Sequence, residues 1–125
     1  MPWSEHFALG VADMDATHRQ FIEMADELLA VPDNGFLALF EQLQDHTIRH
    51  FEHEKTLMRA CHFPAIGEHE SEHLRVLGEI AYFANGLRRG RLKSAREYAR
   101  GLPAWFATHL ATMDAALASC LKRML

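Results

Sequence analysis

His50 and Glu54 stand four residues apart inside a long run of helix formers, and few folds can bury such a pair without giving it a task. On an α-helix four residues turn about 400°, so the two side chains leave one face, one turn apart. His69 and His73 repeat that spacing after a turn signal, and single histidines stand nearer the two ends at His18 and His109. Five histidines and at least one carboxylate can therefore converge. A buried histidine or glutamate is costly unless it is hydrogen-bonded or bound to metal. Any one of these histidines alone reads as an ordinary core or boundary residue, but five on inward stripes of several elements do not. Imidazole suits iron, zinc or copper, and carboxylate with imidazole in a bundle core suits a two-metal iron or manganese site.

The surrounding pattern is helical throughout. About 14 residues without helical periodicity, including Gly10, form an N-terminal arm. Asp15 is placed to cap a first helix with a stripe at 18, 21, 22, 25, 28 and 29 that ends at Val31-Pro32. Pro32-Asp33-Asn34-Gly35 reads as a turn, and from Phe36 the positions 36, 40, 43, 47, 50, 54 and 57 mark a bundle seam. Cys61-His62-Phe63-Pro64 breaks that second helix. A third follows from Ile66 on the seam 66, 69, 73, 76, 80, 83 and 87, with Gly86 and Gly90 bracketing its end. Ser94 with Glu97 has the form of a capping box for a fourth helix, whose face includes 95, 98, 102, 105, 109, 113 and 117, and Pro103 inside it predicts a kink or a fresh start. No segment alternates with period two. The pattern predicts an all-α, up-down-up-down four-helix bundle with an N-terminal arm, a single domain over 1–125.

Composition narrows the function classes without choosing one. A net charge of −4 argues against a nucleic-acid partner, and no apolar run is longer than the five residues of Phe36 to Phe40, far too short for a membrane span. No signal peptide is evident at the start. Cys61 and Cys120 are too far apart for a metal-binding CxxC and too few for a disulfide framework, so free thiols and a cytoplasmic location are expected.

The order His18, then His50 with Glu54, then His69 with His73, then His109 with Asp114 resembles the ligand set of the hemerythrins, in their bacterial single-domain form. The similarity extends to Trp3, to Gly10-Val11 and Asp15-Ala16-Thr17-His18, to His50-Phe51 and Leu57-Met58, to Phe63-Pro64, and to Trp105 four residues before His109. It implies two non-haem iron ions, oxo- or hydroxo-bridged, that bind dioxygen reversibly. His69, His73 and His109 would serve one iron, His18 and His50 the other, with Glu54 and Asp114 bridging. Five histidines, two bridging carboxylates and one bridging oxygen leave a single open position on two six-coordinate ions, which suits a carrier, store or sensor. Histidine-rich ligation favours carrying over oxidising, because high-valent iron is better served by oxygen donors. An enzyme on the same site, a peroxidase or a dioxygen or nitric oxide reductase, is the alternative. A reductase or an oxygen-consuming protein would be the natural partner.

Asp114 rests on this resemblance alone. Five residues beyond His109 is about 140° around an ideal helix, so the carboxylate must reach in from a helix end or from a distorted turn. The resemblance also assigns Phe106 to the oxygen pocket, at a position usually aliphatic in the family, with Trp105 beside it acting more in packing.

Other features carry less. His69-Glu70-Ser71-Glu72-His73 matches the HExxH zinc-protease motif, but no strand is available to hold a peptide. His46 lies beside the seam and reads as a boundary residue, while His6, His53 and His62 read as exposed. The run Arg88, Arg89, Arg91, Lys93, Arg96 and Arg100 reads as a solvated loop rather than a docking surface for an acidic partner. Cys120, Leu121, Met124 and Leu125 would either finish the core or contact another subunit.

Overall fold

A computed structural model describes residues 2–125. After a short 3-10 turn at Glu5–Phe7 come α1 (Ala12–Ala30), α2 (Asp33–Ala60), α3 (Ile66–Arg88) and α4 (Leu92–His109). A π-helical turn, Leu110–Asp114, joins α4 directly to α5 (Ala115–Lys122). Neighbours in the bundle are α1 with α2, α2 with α3, α3 with α4, and α4 with α1. The chain is therefore an up-down-up-down four-helix bundle, its fourth rod made of α4, the π turn and α5.

Buried residues fall into two apolar clusters. The larger contains Phe21, Leu28, Phe36, Phe40, Leu43, Ile80, Leu102 and Phe106, and the smaller gathers Met14, Met58, Phe63, Leu117, Ala118 and Cys120. Each rod passes from one cluster to the other through a buried polar residue, as in Met14–His18–Phe21 or Leu110–Asp114–Leu117. The polar layer thus lies inside the bundle, between two apolar plugs that keep water from it. Full burial of a large apolar side chain contributes about 1.5–3 kcal/mol, so the plugs can offset the desolvation of that layer.

Several expected boundaries move. Asp15 does not cap α1, which starts at Ala12; its carboxylate instead accepts the amides of Leu9 (2.7 Å) and Gly10 (3.1 Å) and pins the arm. Pro32-Asp33-Asn34-Gly35 is not a free turn. Pro32 itself is the cap and Asp33 opens α2, with the Gly35 amide donating to the Pro32 carbonyl at 2.9 Å, because proline has no amide to lose at a helix start and an acid suits the first turn. The Ser94–Glu97 capping box does not form either. Gly90, at φ +84°, closes α3 with Arg91 donating to Gly86 and Gly90 to Leu87, and α4 begins at Leu92 before Ser94 is reached. Gly86 lies within α3 rather than outside it, and α4 runs through Pro103 without a fresh start.

The inner face of the fourth rod also differs. Ala99 and Phe106 are buried where the expected stripe ran through Tyr98 and Trp105, which are half-buried, and Asp114 replaces Met113. Likewise Met58 and Ala84 are buried rather than Leu57 and Phe83, and Leu29 is exposed. Two residues of the basic run are structural: Arg96 donates to Asp33 and to the Val31 carbonyl and lies 4.6 Å above the Phe36 ring, and Arg88 pairs with Glu41 at 2.8 Å. They tie α4 to the α1–α2 turn and α3 to α2.

The turn after α2 holds a non-glycine residue in the left-handed region. His62 has φ +53°, with Phe63 donating to the Met58 carbonyl and His62 to that of Arg59, the same closing motif as at Gly90. A left-handed L-residue costs about 1–2 kcal/mol, partly offset on substitution by the greater unfolded freedom of glycine. Since His62 is exposed, His62→Gly is expected to gain roughly 0.5–1 kcal/mol and raise Tm by about 2–5 °C in a thermal melt.

Candidate metal centre

All seven residues singled out in the sequence meet in the buried layer: His18 from α1, His50 and Glu54 from α2, His69 and His73 from α3, and His109 and Asp114 from the fourth rod. None exceeds 4% exposure. The i, i+4 spacing delivers both members of each pair on α2 and α3 to one face. Asp114 arrives differently. The π turn carries an extra residue per turn, so five residues bring Asp114 back to the face of His109 instead of leaving it 140° away, the rotation about expected of an ideal helix.

The two carboxylates divide their oxygens between the same two sets of histidines. Glu54 Oε2 lies 3.2 Å from His18 Nε2 and 2.8 Å from His50 Nε2, while Oε1 lies 3.2 Å from both His69 Nε2 and His73 Nε2. Asp114 Oδ2 faces His18 at 3.2 Å, and Oδ1 faces His69 at 3.1 Å and His109 at 3.2 Å. A pair of histidines thus stands on one side, a trio on the other, and each carboxylate spans both.

The donors fit metal better than they fit each other. His73 Nε2 and His109 Nε2 face at 3.3 Å, and two imidazole nitrogens can share one proton there but cannot both keep one. Both Asp114 oxygens lack a properly directed hydrogen bond although three imidazole nitrogens lie close. Atoms that are near but misaligned point at shared centres instead of at one another. Donors on one ion with bonds of about 2.1 Å at right angles are about 3 Å apart, the spacing seen here. The outward Nδ1 atoms of His18, His50, His69 and His109 are buried without a protein partner, so ring orientation rests on packing. Phe51 stacks on His73 at 3.6 Å, and Trp105 stacks on His109 at 4.9 Å.

With protons in place of cations the layer is electrostatically strained in a readable way. Burial alone would lower His18 and His69, but Asp114 and Glu54 outweigh it and raise both from 6.5 to about 9. Burial would likewise raise the carboxyls, yet the clustered imidazoles hold Glu54 and Asp114 below their ordinary range. His73, where burial dominates over Glu54, is pushed down. The raised histidines add stability that is whole below 6.5 and is lost as pH climbs through about 9; the depressed carboxyls add stability present above 4.5 and lost in acid. Metal-free protein is therefore expected to melt highest near pH 6.5, since the depressed His73 costs stability below that value, and to lose Tm toward pH 9. Metal-loaded protein should hold its Tm across that alkaline window, since cations take the place of the protons. Thermal melts at both ends, with and without chelator, check this.

Phe106 is buried against the two-histidine side, its ring 5.4 Å from His18, 6.4 Å from His50 and 4.5 Å from Phe21. Its far side closes a cleft lined by Phe21, Ile22, Ala25 and Pro103. A separate surface groove, bounded by Phe51, Glu52, Lys55, Glu70, His73 and Leu74, reaches the three-histidine side. Glu70, the would-be base of the HExxH motif, points into that groove 3.8 Å from Lys55 and takes no part in the cluster. His46 stays at the boundary, 3.1 Å from Gln20, with burial lowering its pKa. His6, His53 and His62 are exposed.

The family model described as the hemerythrin HHE cation-binding domain matches residues 9–121. A bacteriohemerythrin of Ralstonia nicotianae is 31% identical over 112 residues, covering 90% of this chain and 82% of the relative. A bacteriohemerythrin of Stenotrophomonas maltophilia is 24% identical over 124 residues, covering 96% and 80% respectively. The fold superposes on a crystal structure of wild-type hemerythrin with a TM-score of 0.88 at 22% identity, over 97% of each chain.

Proposed function

The chain belongs to the hemerythrin family, and from that premise we propose that the seven buried side chains hold a non-haem diiron centre that binds dioxygen reversibly. The observation that carries this reading is the division of each carboxylate between a pair and a trio of histidines. Two cations side by side use every donor of such an arrangement, and one cation cannot. His69, His73 and His109 would hold one iron, His18 and His50 the other, and Glu54 and Asp114 both. When bound, the two irons would supply two electrons and one open coordination position for dioxygen. The side with fewer histidines would offer that position, and the apolar plugs on either side of the layer would limit the water and protons that make oxygen binding irreversible. Phe106 stands over that side. Trp105 acts on the other through its stack on His109.

Carrying, storing or sensing oxygen is favoured over turnover because, among the described residues, no further acid or base joins the seven in the cluster. His46, whose ring lies 6.0 Å from that of His50, bonds Gln20 through Nε2, and Glu70 faces Lys55. We read residues 1–125 as one hemerythrin-like domain whose small-molecule partner is dioxygen. A cytoplasmic location is the reading that two unpaired cysteines favour. Among the described residues no helix is long and apolar enough to cross a membrane.

Elemental analysis of protein purified without added metal should give iron close to two equivalents per chain. Anaerobic reduction followed by stepwise oxygen addition should then produce a visible band that appears and fades over repeated cycles. One tightly held zinc with no iron would sink the diiron reading. Fast consumption of reductant or peroxide with no stable band would favour the enzyme.

A further inference from the structure

Cys61 and Cys120 are 59 residues apart in the chain, yet the fold brings them together. Cys61 caps the end of α2 and Cys120 lies on α5, where the Cys120 thiol donates to the Cys61 carbonyl at 3.3 Å, so the two residues stand side by side. Cys61 is half-buried and Cys120 is buried, so reagents in solvent meet Cys61 first. Their surroundings are apolar, Met58, Phe63, Leu117 and Leu121, with Arg123 the charged group that acts on the pair. Neither residue belongs to the metal cluster.

We propose that Cys61 and Cys120 form a dithiol–disulfide switch, in which exchange with a small-molecule disulfide such as oxidised glutathione bonds the end of α2 to α5. Cys61, as thiolate, attacks one sulfur of oxidised glutathione; that S–S bond breaks, and the released glutathione takes up the proton Cys61 gave. Cys120, as thiolate, then attacks the Cys61 sulfur of the mixed disulfide, and the second glutathione leaves and takes the proton of Cys120. Two protein thiols are oxidised and one external disulfide is reduced, with no other oxidant needed. Burial and the neighbouring Cys120 hold the Cys61 thiol up at about 11, so exchange near neutral pH is slow and proceeds only under sustained oxidising conditions.

The bond would do more than close a loop. Glu54 lies two turns before Cys61 on α2, and Asp114 precedes Cys120 on the fourth rod, so the staple would join the two segments that carry the spanning carboxylates. Metal would then be released more slowly from the oxidised form. This consequence rests on the diiron reading, whereas formation of the bond does not.

The test equilibrates metal-loaded protein in glutathione buffers of graded ratio and follows intact mass, free thiols, non-reducing peptide maps and thermal melting. Both thiols should disappear together with a mass loss of two hydrogens and a linked peptide pair containing Cys61 and Cys120. Closing so long a loop should raise Tm by roughly 10 °C. Cys61→Ser, at the half-buried rim, should fold and show a Tm independent of the glutathione ratio; Cys120→Ser is the second control. A stable glutathione adduct at Cys61, cross-linked dimers, or two intact thiols at the most oxidising ratio would each overturn the proposal. Metal loss to a chelator at the same rate from both forms would overturn the coupling to the carboxylates while leaving the bond itself standing.

Discussion

Glu54→Ala is expected to leave no more than one metal equivalent on the protein and to lower its Tm sharply. The Glu54 side chain meets the Nε2 atoms of four histidines from three helices, and each of its oxygens serves a different set. Its loss removes a donor from both proposed iron positions at once, whereas loss of a single histidine removes one donor from one position. The metal-free protein suffers too. His18 and His69 owe their raised pKa values to Asp114 and Glu54, so without Glu54 they tend to be neutral, buried and poorly partnered. Removing one member of a buried ionic group typically costs about 3–5 kcal/mol. Elemental analysis and parallel melts of metal-loaded and metal-free protein measure the two effects separately. Near two equivalents of metal retained by the variant would show that Glu54 is not a shared ligand.

The sequence carried the location of this site further than the ends of its helices. His50 with Glu54 and His69 with His73 were legible because i, i+4 spacing on a regular helix is a local property, and both pairs lie on apolar seams that the core must bury. Asp114 was not, since the π turn that brings it round has no local signature in Leu110-Ala111-Thr112-Met113. Only the resemblance to known hemerythrins pointed to it. The same turn explains why Met113 was expected inside and is displaced by Asp114.

Capping signals failed for a related reason. Asp15 and Ser94 have side chains suited to a helix start, but the arm claims the first and the glycine closure at Gly90 starts α4 ahead of the second. In both cases a tertiary or neighbouring contact used the group that local preference had reserved. The cysteines show the limit of spacing arguments most plainly. Read as sequence they were two unrelated thiols, and their contact arises only because the fourth rod returns beside the end of α2. Periodicity ran the inner stripe through Trp105 whereas the resemblance put Phe106 at the pocket, and the rotation of α4 buries Phe106 beside His18 and leaves Trp105 half-buried.

Phe106→Ala is expected to speed azide binding to the oxidised, metal-loaded protein by several-fold and to hasten the fading of its oxygen-dependent band in air. The Phe106 ring is 1% exposed and sits between the His18–His50 side and a narrow apolar crevice lined by Phe21, Ile22, Ala25 and Pro103, too tight in the parent to hold water. Truncation joins the cleft to the side where the open position is proposed to lie, which admits water and small anions together. The same truncation leaves a cavity where Phe21 loses an aromatic neighbour at 4.5 Å, and such losses cost about 3–5 kcal/mol. Rate measurements therefore belong well below the lowered Tm. Phe106→Leu separates the two effects, since it restores most of the volume but not the planar lid. Stopped-flow azide binding and decay of the visible band, at constant iron content, read the result. If both rates in Phe106→Ala match those of the parent, small species reach the cluster elsewhere, and the groove beside Lys55, Glu70 and His73 is another approach. Lys55→Glu would then slow azide by placing a like charge at that mouth, a change that leaves a route past Phe106 untouched.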